Sequence, residues 1–292
     1  MAKVIVIGAG PAGIMAAIHA SKKHNVILLD GNDRIGKKLF ITGKGRCNVT
    51  NAKDISEFFD YIPGNPHFLY SALYSYTNED TINFFENAGI KLKTERGGRI
   101  FPMSDKSSDI IKGLSIGLKE ANVQVKLNSK VTNIIYNNDK ITGVEINNTT
   151  KLNGDHFILA TGGASYPLTG SRGEGQKFAK SLGHTIIDLK PSLVPIELNE
   201  PWLKELMGLS LKNISLSILK NNKVVYKNQG EMMFTNYGMS GPLVLSGSRY
   251  VKNDGNYEVS LDLKPALNES ELDKRLQKDF LKYQNKEFKN SL

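Results

Sequence analysis

Residues 3–30 constrain this chain more than any other stretch. Lys3-Val-Ile-Val-Ile7 runs directly into Gly8-Ala9-Gly10-Pro11-Ala12-Gly13, and Ile14, Ala17, Ile18 and Ser21 follow at helical spacing. Val26-Ile27-Leu28-Leu29 then ends on Asp30. A β-branched run with no charge after Lys3 suits a strand buried on both faces. Gly8 allows the tight turn out of that strand, Gly10 has no Cβ to obstruct a pyrophosphate, and Gly13 lets the helix pack closely on the sheet. The helix N-terminus then turns its free N–H groups and positive dipole end towards the phosphates. Asp30 stands about 20 residues beyond Gly10, where a carboxylate can bind an adenosine ribose hydroxyl. An ordinary βαβ turn with chance glycines leaves Asp30 unexplained, so the stretch reads as a dinucleotide site.

At 292 residues, 40% hydrophobic and 23% charged, the chain has room for two domains and a large core. No apolar run approaches the ~18 residues of a membrane span. The opening strand leaves no room for a signal peptide, so none is expected. Cys47 is the single cysteine, which excludes an intramolecular disulfide and fits a reducing cytoplasm. The net charge of +9 favours anionic partners, a phosphate-rich cofactor among them. The lysines are scattered, with no basic run and no interleaved aromatic platform, which argues against nucleic acid. The five histidines have no metal-ligand spacing, and no metal site is expected.

Glycine is dense again in Thr42-Gly-Lys-Gly-Arg-Cys-Asn-Val-Thr-Asn51, beside Lys37 and Lys38. This reads as a loop whose backbone approaches an anion, with Lys37, Lys38, Lys44 and Arg46 supplying charge and Thr42 and Asn48 hydrogen bonds. Residues 54–88 read as helical with a break at Pro63–Pro66, its last helix spanning Thr81 to Asn87. A strand near Ile90–Thr94 and an amphipathic helix from Lys106 to Ala121 follow. Val123–Leu127 and Val131–Tyr136 read as strands, and Asn137-Asn138-Asp139-Lys140 as the turn into a returning arm at Ile141–Ile146. Phe157–Ala160 reads as a buried strand that rejoins the opening sheet and ends at Thr161-Gly162-Gly163, the edge where α/β sheets bind ligands. Gly173 to Leu182 reads as a short helix. The character changes near Leu189, which divides the chain into domains 1–189 and 190–292. Beyond it, Leu209–Leu219 and Lys223–Tyr226 read as antiparallel strands, Gly230–Pro242 as a second glycine-punctuated loop, Tyr257–Leu263 as a strand and Glu269–Phe288 as a charged helix.

With these motifs assembled, the chain resembles a bacterial family of NAD(P)/FAD-dependent, aminoacetone-oxidase-like flavoproteins. The resemblance rests on Gly8–Gly13, Thr42–Asn51, Gly98-Arg-Ile-Phe-Pro102, Ala160-Thr-Gly-Gly163, Ser165–Gly175, Pro191-Ser-Leu-Val-Pro195, Gly230–Thr235 and Ser240-Gly-Pro242. Lys44 departs from it, standing where glycine is expected. The resemblance implies an α/β fold: a glutathione-reductase-like Rossmann FAD-binding domain carrying an inserted β-rich domain. It also implies that Gly8, Ala9, Gly10, Ala12, Gly13, Asp30, Lys38, Arg46, Cys47, Asn48, Val131, Ala160, Thr161 and Gly162 line FAD.

The implied function is an FAD-dependent oxidoreductase, passing hydride or electrons through the flavin to a small organic substrate, with NADH or NADPH as candidate reductant. Amine oxidation and enone reduction are both open. The strand-Gly-acid-helix segment that completes the flavin site in that fold has no counterpart between Pro191 and Leu292. That raises the alternative of a shortened, non-catalytic FAD-binding fragment. A flavoprotein acting on nucleic acid is the third reading. No catalytic residue is assigned; Tyr166, Arg172, Tyr237 and Ser240 are candidates for the substrate side. Cys47 reads as a close-packed residue beside the cofactor rather than a redox thiol, because it lacks a partner cysteine.

Overall fold

Strand β1 (Lys3–Ile7) divides its side chains between two cores. Val4 and Val6 enter one, with Ile14 and Ala17 of helix α1 (Pro11–Ser21) and with Val26 and Leu28 of β2 (Asn25–Leu29). Ile5 and Ile7 enter the other, with Ile27 and Leu29. Alternation with period two on a strand whose two faces are both covered explains why the sequence reads as one unbroken apolar run. Each such side chain contributes about 1.5–3 kcal/mol on burial. The computed structural model describes residues 1–138, 140–252, 254–285 and 287.

After β2 the chain passes through a 3₁₀ segment (Leu39–Gly45) to β3 (Thr50–Asn51). Two further 3₁₀ segments (Ile55–Tyr61 and Pro66–Leu69) lead into α2 (Tyr70–Ser75) and α3 (Asn78–Asn87). The hairpin β4 (Leu92–Glu95) and β5 (Arg99–Pro102) precedes α4 (Ser107–Glu120) and β6 (Gln124–Lys126). A meander β7 (Val131–Asn137), β8 (Lys140–Ile146) and β9 (Thr150–Asn153) then leads to β10 (His156–Leu159) and α5 (Glu174–Ser181).

The parallel sheet runs β10-β1-β2-β6, with Val6 opposite Leu28 and Ile158. One face packs on α1 and α4 through Ile110, Leu114 and Leu118. The other packs on the antiparallel β7-β8-β9 sheet through Val131, Ile134, Val144 and Ile146. The result is a three-layer Rossmann domain in which the carboxyl ends of β1, β2 and β10 share one edge.

These elements belong to a first compact unit, Met1–Ile187; the second is Asp188–Leu292. In the second unit β11 (Ile196–Glu197), β12 (Ser210–Lys220), β13 (Lys223–Thr235), β14 (Gly238–Ser240) and β15 (Tyr257–Asp262) form an antiparallel sheet. Its order is β11-β14-β13-β12-β15. Helix α6 (Pro242–Gly247) closes a core of Leu216, Ile218, Met232, Phe234, Leu243 and Val244. Helix α7 (Glu269–Lys282) starts with a capping box, the Asn268 side chain accepting from the Glu271 N–H and the Glu271 side chain from the Asn268 N–H.

Several expectations are corrected. The second glycine-punctuated loop is ordered strand: β13 runs through Gly230 to Thr235, turns, and returns as β14. Strand β10 joins β1 in parallel, but it is an edge strand with Leu159 exposed rather than a buried one. Helix α3 begins at Asn78, before Thr81, because Thr77 and Asp80 cap it reciprocally. Helix α7 ends at Lys282; Phe288, expected within it, and Asp139, expected in the β7–β8 turn, lie outside the described residues.

Among the glycines of the described residues, the closest approach of neighbouring atoms is at Gly13, at the start of α1. A Cβ on Gly13 would fall 1.8 Å from the Gly8 carbonyl oxygen, whereas one on Gly10 would have no neighbour within 4 Å. Gly13→Ala is therefore expected to destabilise the fold by about 3 kcal/mol, while Gly10→Ala leaves it near wild type. Urea unfolding midpoints of the two variants check this; equal midpoints would contradict it.

Candidate functional site

A cavity of about 550 Å³ opens at the shared carboxyl edge of β1, β2 and β10. It is lined by Gly8–Ala12, Asp30–Asn32, Lys37, Lys38, Ser129–Val131, Ala160–Gly162, Leu168–Arg172, Glu174 and Phe178. Four basic side chains face it (Lys37, Lys38, Lys130, Arg172) against two acidic ones (Asp30, Glu174), a balance suited to an anion.

The loop after β1 has the geometry of a phosphate cradle. Gly8 sits at φ +107°, where a side chain is strained, and a Cβ there would meet the Ala160 carbonyl oxygen at 2.4 Å. Its N–H donates to the Leu29 carbonyl at 2.8 Å, tying the ends of β1 and β2. The first bond of α1 runs from the Ile14 N–H to the Gly10 carbonyl (2.9 Å), so the Ala12 and Gly13 N–H groups precede the helical ladder. No side chain caps this terminus and no acid lies in its first turn. Gly10 borders open space. A pyrophosphate fits an uncapped, positively polarised helix end with lysines beside it.

Asp30 does more than the ribose role read from sequence. One carboxylate oxygen accepts the Ala9 N–H at 2.6 Å. The other accepts the N–H and the side-chain amide of Asn32, at 2.7 and 2.8 Å. Asn32 also donates to the Thr169 carbonyl (3.2 Å). One acid thus fixes the glycine loop and, through Asn32, the Leu168–Arg172 loop on the same cavity. Two lone-pair directions on each oxygen leave it able to accept a ribose hydroxyl as well. Asn32 went unnoticed in the sequence; an Asp-x-Asn pair directly after a strand is the local signal that could have found it.

The structure brings Gly8, Ala9, Gly10, Ala12, Asp30, Lys38, Val131, Ala160, Thr161 and Gly162 to this one cavity. Lys38 reaches the Ser165 hydroxyl at 3.4 Å. Gly13 lies beneath the loop as a packing residue. Cys47 and Asn48 line a second, separate cavity. Arg172 faces the first cavity; Tyr166 caps a short turn with an exposed ring, and Tyr237 and Ser240 belong to the second unit.

Arg46 lines neither cavity. Its guanidinium bonds Glu95, and Asp105 at 2.6 and 2.8 Å, and lies 4.2 Å over the Phe101 ring. Lys93 completes the cluster at 2.6 Å from Asp105. The group ties the Thr42–Asn51 loop to the β4–β5 hairpin. Arg46 holds the Glu95 carboxyl below its ordinary range, and Lys93, then Arg46, do so for Asp105. Carboxyls depressed in the folded state stabilise it above their unfolded values, and that support is lost as pH falls through the folded values. Amide protection of Val49 and Ala52, which bond Ile100 and Gly98, is therefore expected to weaken below about pH 4. Hydrogen exchange across that range checks this; Arg46→Met should flatten the profile, and a wild-type profile already flat would contradict it.

A Rossmann sheet with a phosphate-cradling loop, backed by an antiparallel meander, defines the class of FAD-binding Rossmann domains. The chain belongs to the family described as the HI0933-like protein Rossmann domain, which matches residues 2–241. It is 31% identical over 284 residues, 94% of this chain and 67% of the relative, to the 3-dehydro-bile acid delta(4,6)-reductase of Clostridium scindens. It is 32% identical to the ribosomal RNA dihydrouridine synthase of Escherichia coli, over 91% of this chain and 66% of that protein. The chain thus spans about two thirds of the length of these relatives. Among solved structures, the open conformation of a flavocytochrome c3 fumarate reductase superposes with a TM-score of 0.54 at 23% identity. That match covers 73% of this chain and 47% of the other, and shows the fold alone. No helix among the described residues is long and apolar enough to cross a membrane.

Proposed function

We propose that the chain holds FAD in the first cavity and belongs to an oxidoreductase that adds hydrogen to an unsaturated small organic substrate. The observation that carries this reading is the uncapped α1 terminus opening, beside Lys37 and Lys38, into a cavity at the carboxyl edge of the parallel sheet. A flavin there supplies the two-electron chemistry; the protein supplies binding, orientation and electrostatics. The Ala12 and Gly13 N–H groups and the two lysines would hold the pyrophosphate. Asp30 keeps the Ala9 backbone in place and would offer a ribose hydroxyl an acceptor, and Val131, which lines the same cavity, would take the adenine side. NADH or NADPH is the proposed reductant, and the single cysteine is consistent with the reducing cytoplasm we propose for it.

Both curated relatives carry names that describe reduction, one of a bile acid and the other yielding dihydrouridine in ribosomal RNA. This favours reduction over the amine-oxidase reading. The RNA enzyme's 32% identity and the net charge of +9 support a second reading, in which the reducible group is carried by RNA.

The test is the visible spectrum of the purified chain after adding FAD and desalting, followed by NADH or NADPH. Retained flavin bands that bleach support the oxidoreductase; retained bands that do not bleach support a binding fragment; a colourless protein overturns the cofactor assignment. Lys37→Ala with Lys38→Ala is expected to weaken FAD binding about tenfold or more, on the order of 1.5–3 kcal/mol for a lost charged hydrogen bond. A salt-sensitive gel shift with structured RNA would favour the second reading.

A further inference from the structure

The core beneath the α1 terminus is not closed. A second cavity of about 310 Å³ lies between α1, α3 and α4. Its floor is Cys47, Phe85, Ile110 and Leu114, each at most 6% exposed, and exposed Pro11 and Asn48 stand at its mouth. Protein interiors leave few voids larger than a water molecule. A dry apolar cavity of about 150 Å³ takes benzene; twice that volume has room for two fused rings.

The lining is poorly suited to water or to a charged ligand. Its polar groups are engaged elsewhere: the Tyr76 hydroxyl donates to the Asp80 carbonyl (3.3 Å) and the Thr81 hydroxyl to the Thr77 carbonyl (3.1 Å). The Asn48 amide lies within reach of the Ile100 and Thr50 carbonyls, at 3.2 and 3.1 Å, and its nitrogen donates to both once the amide is turned to face them. Among the described residues no Lys, Arg, Asp, Glu or His lines it. Burial pushes both the Cys47 thiol and the Tyr76 phenol up, which keeps them neutral near pH 7. Water needs two to four polar partners to settle in such a space. Pro11 lines both cavities, so the first turn of α1 forms a wall common to the two.

We propose that this second cavity is a binding pocket for an uncharged, largely apolar molecule of about two fused rings, entering past Pro11 and Asn48. As the site of the oxidoreductase's substrate ring, it rests on the flavoprotein reading; as a pocket, it stands without it. The wall at Pro11 places the ligand next to the cofactor cavity, and the apolar floor selects for the hydrophobic effect rather than for charge.

The experiment uses the full chain and 1-fluoronaphthalene, whose fluorine relaxation reports binding directly. Saturable broadening is expected, with iodoacetamide alkylation of Cys47 slowed at least fivefold at saturation. Met15→Trp, which fills the pocket from its half-buried wall, should weaken the broadening at least tenfold. Absence of broadening, or broadening with Cys47 alkylation unchanged, overturns the proposal. So does displacement by ADP or FAD, which would give the cavity to the cofactor. If Met15→Trp fails to fold, Cys47 protection in the wild type decides. FAD binding followed in the same samples keeps the two readings apart: ring binding without FAD binding sinks the cofactor assignment alone, and FAD binding without ring binding sinks this one alone.

Discussion

The ligand edge of the first unit depends on how closely α1 approaches the end of β1. Gly13 rests on the Gly8 carbonyl at a separation no side chain permits, and Gly8 in turn rests on the Ala160 carbonyl. These two contacts bring the helix terminus, the end of β1 and the end of β10 to one point. The peptide groups there are held by packing on both sides rather than by a capping side chain, so the helix keeps unsatisfied donors facing open space. An anion is the natural complement to that arrangement.

Asp30 extends the same rigidity laterally. By accepting from Ala9 and Asn32 it joins the glycine loop to the loop around Thr169, so two walls of the cavity are braced through one carboxylate. Arg46 does comparable work further out, with Glu95, Asp105 and Lys93 around it. Its neighbour Cys47 adopts φ +59°, which turns the chain inward and puts the thiol in the core. The stretch from Lys37 to Val49 thus places Lys37 and Lys38 on the first cavity, Arg46 in an ion cluster, and Cys47, Asn48 and Val49 on the second cavity. The charge at the first cavity and the apolar lining of the second follow from where this stretch is pinned.

Much of this was legible in the sequence, and the limits follow from physical causes. The β1–glycine–α1–β2–Asp30 unit could be read because its constraints are local: period two, helical spacing and glycines at fixed offsets. The return of β10 to the opening sheet was readable from its terminal glycines. The exposure of Leu159 was not, since edge or centre is decided by which strands pair. Strand β5 escaped notice because its signal is the Gly97-Gly98 turn rather than an apolar run. Gly230–Thr235 looked like loop, yet its glycine sits opposite Ile214 in a long antiparallel pair. The placement of Arg46 depends on Glu95 and Asp105, 49 and 59 residues away in sequence, and no spacing rule reaches that far.

The most direct test of the central claim is amide hydrogen exchange of the full chain with and without FAD, resolved to single residues. The account predicts slowed exchange at Ala9, Gly10, Ala12, Gly13 and Asp30–Asn32, with the β12–β13 pair of the second unit unchanged. FAD binding that leaves Gly8–Gly13 as exposed as before would contradict it, because the cofactor would then be held somewhere other than the helix terminus on which the whole edge is built.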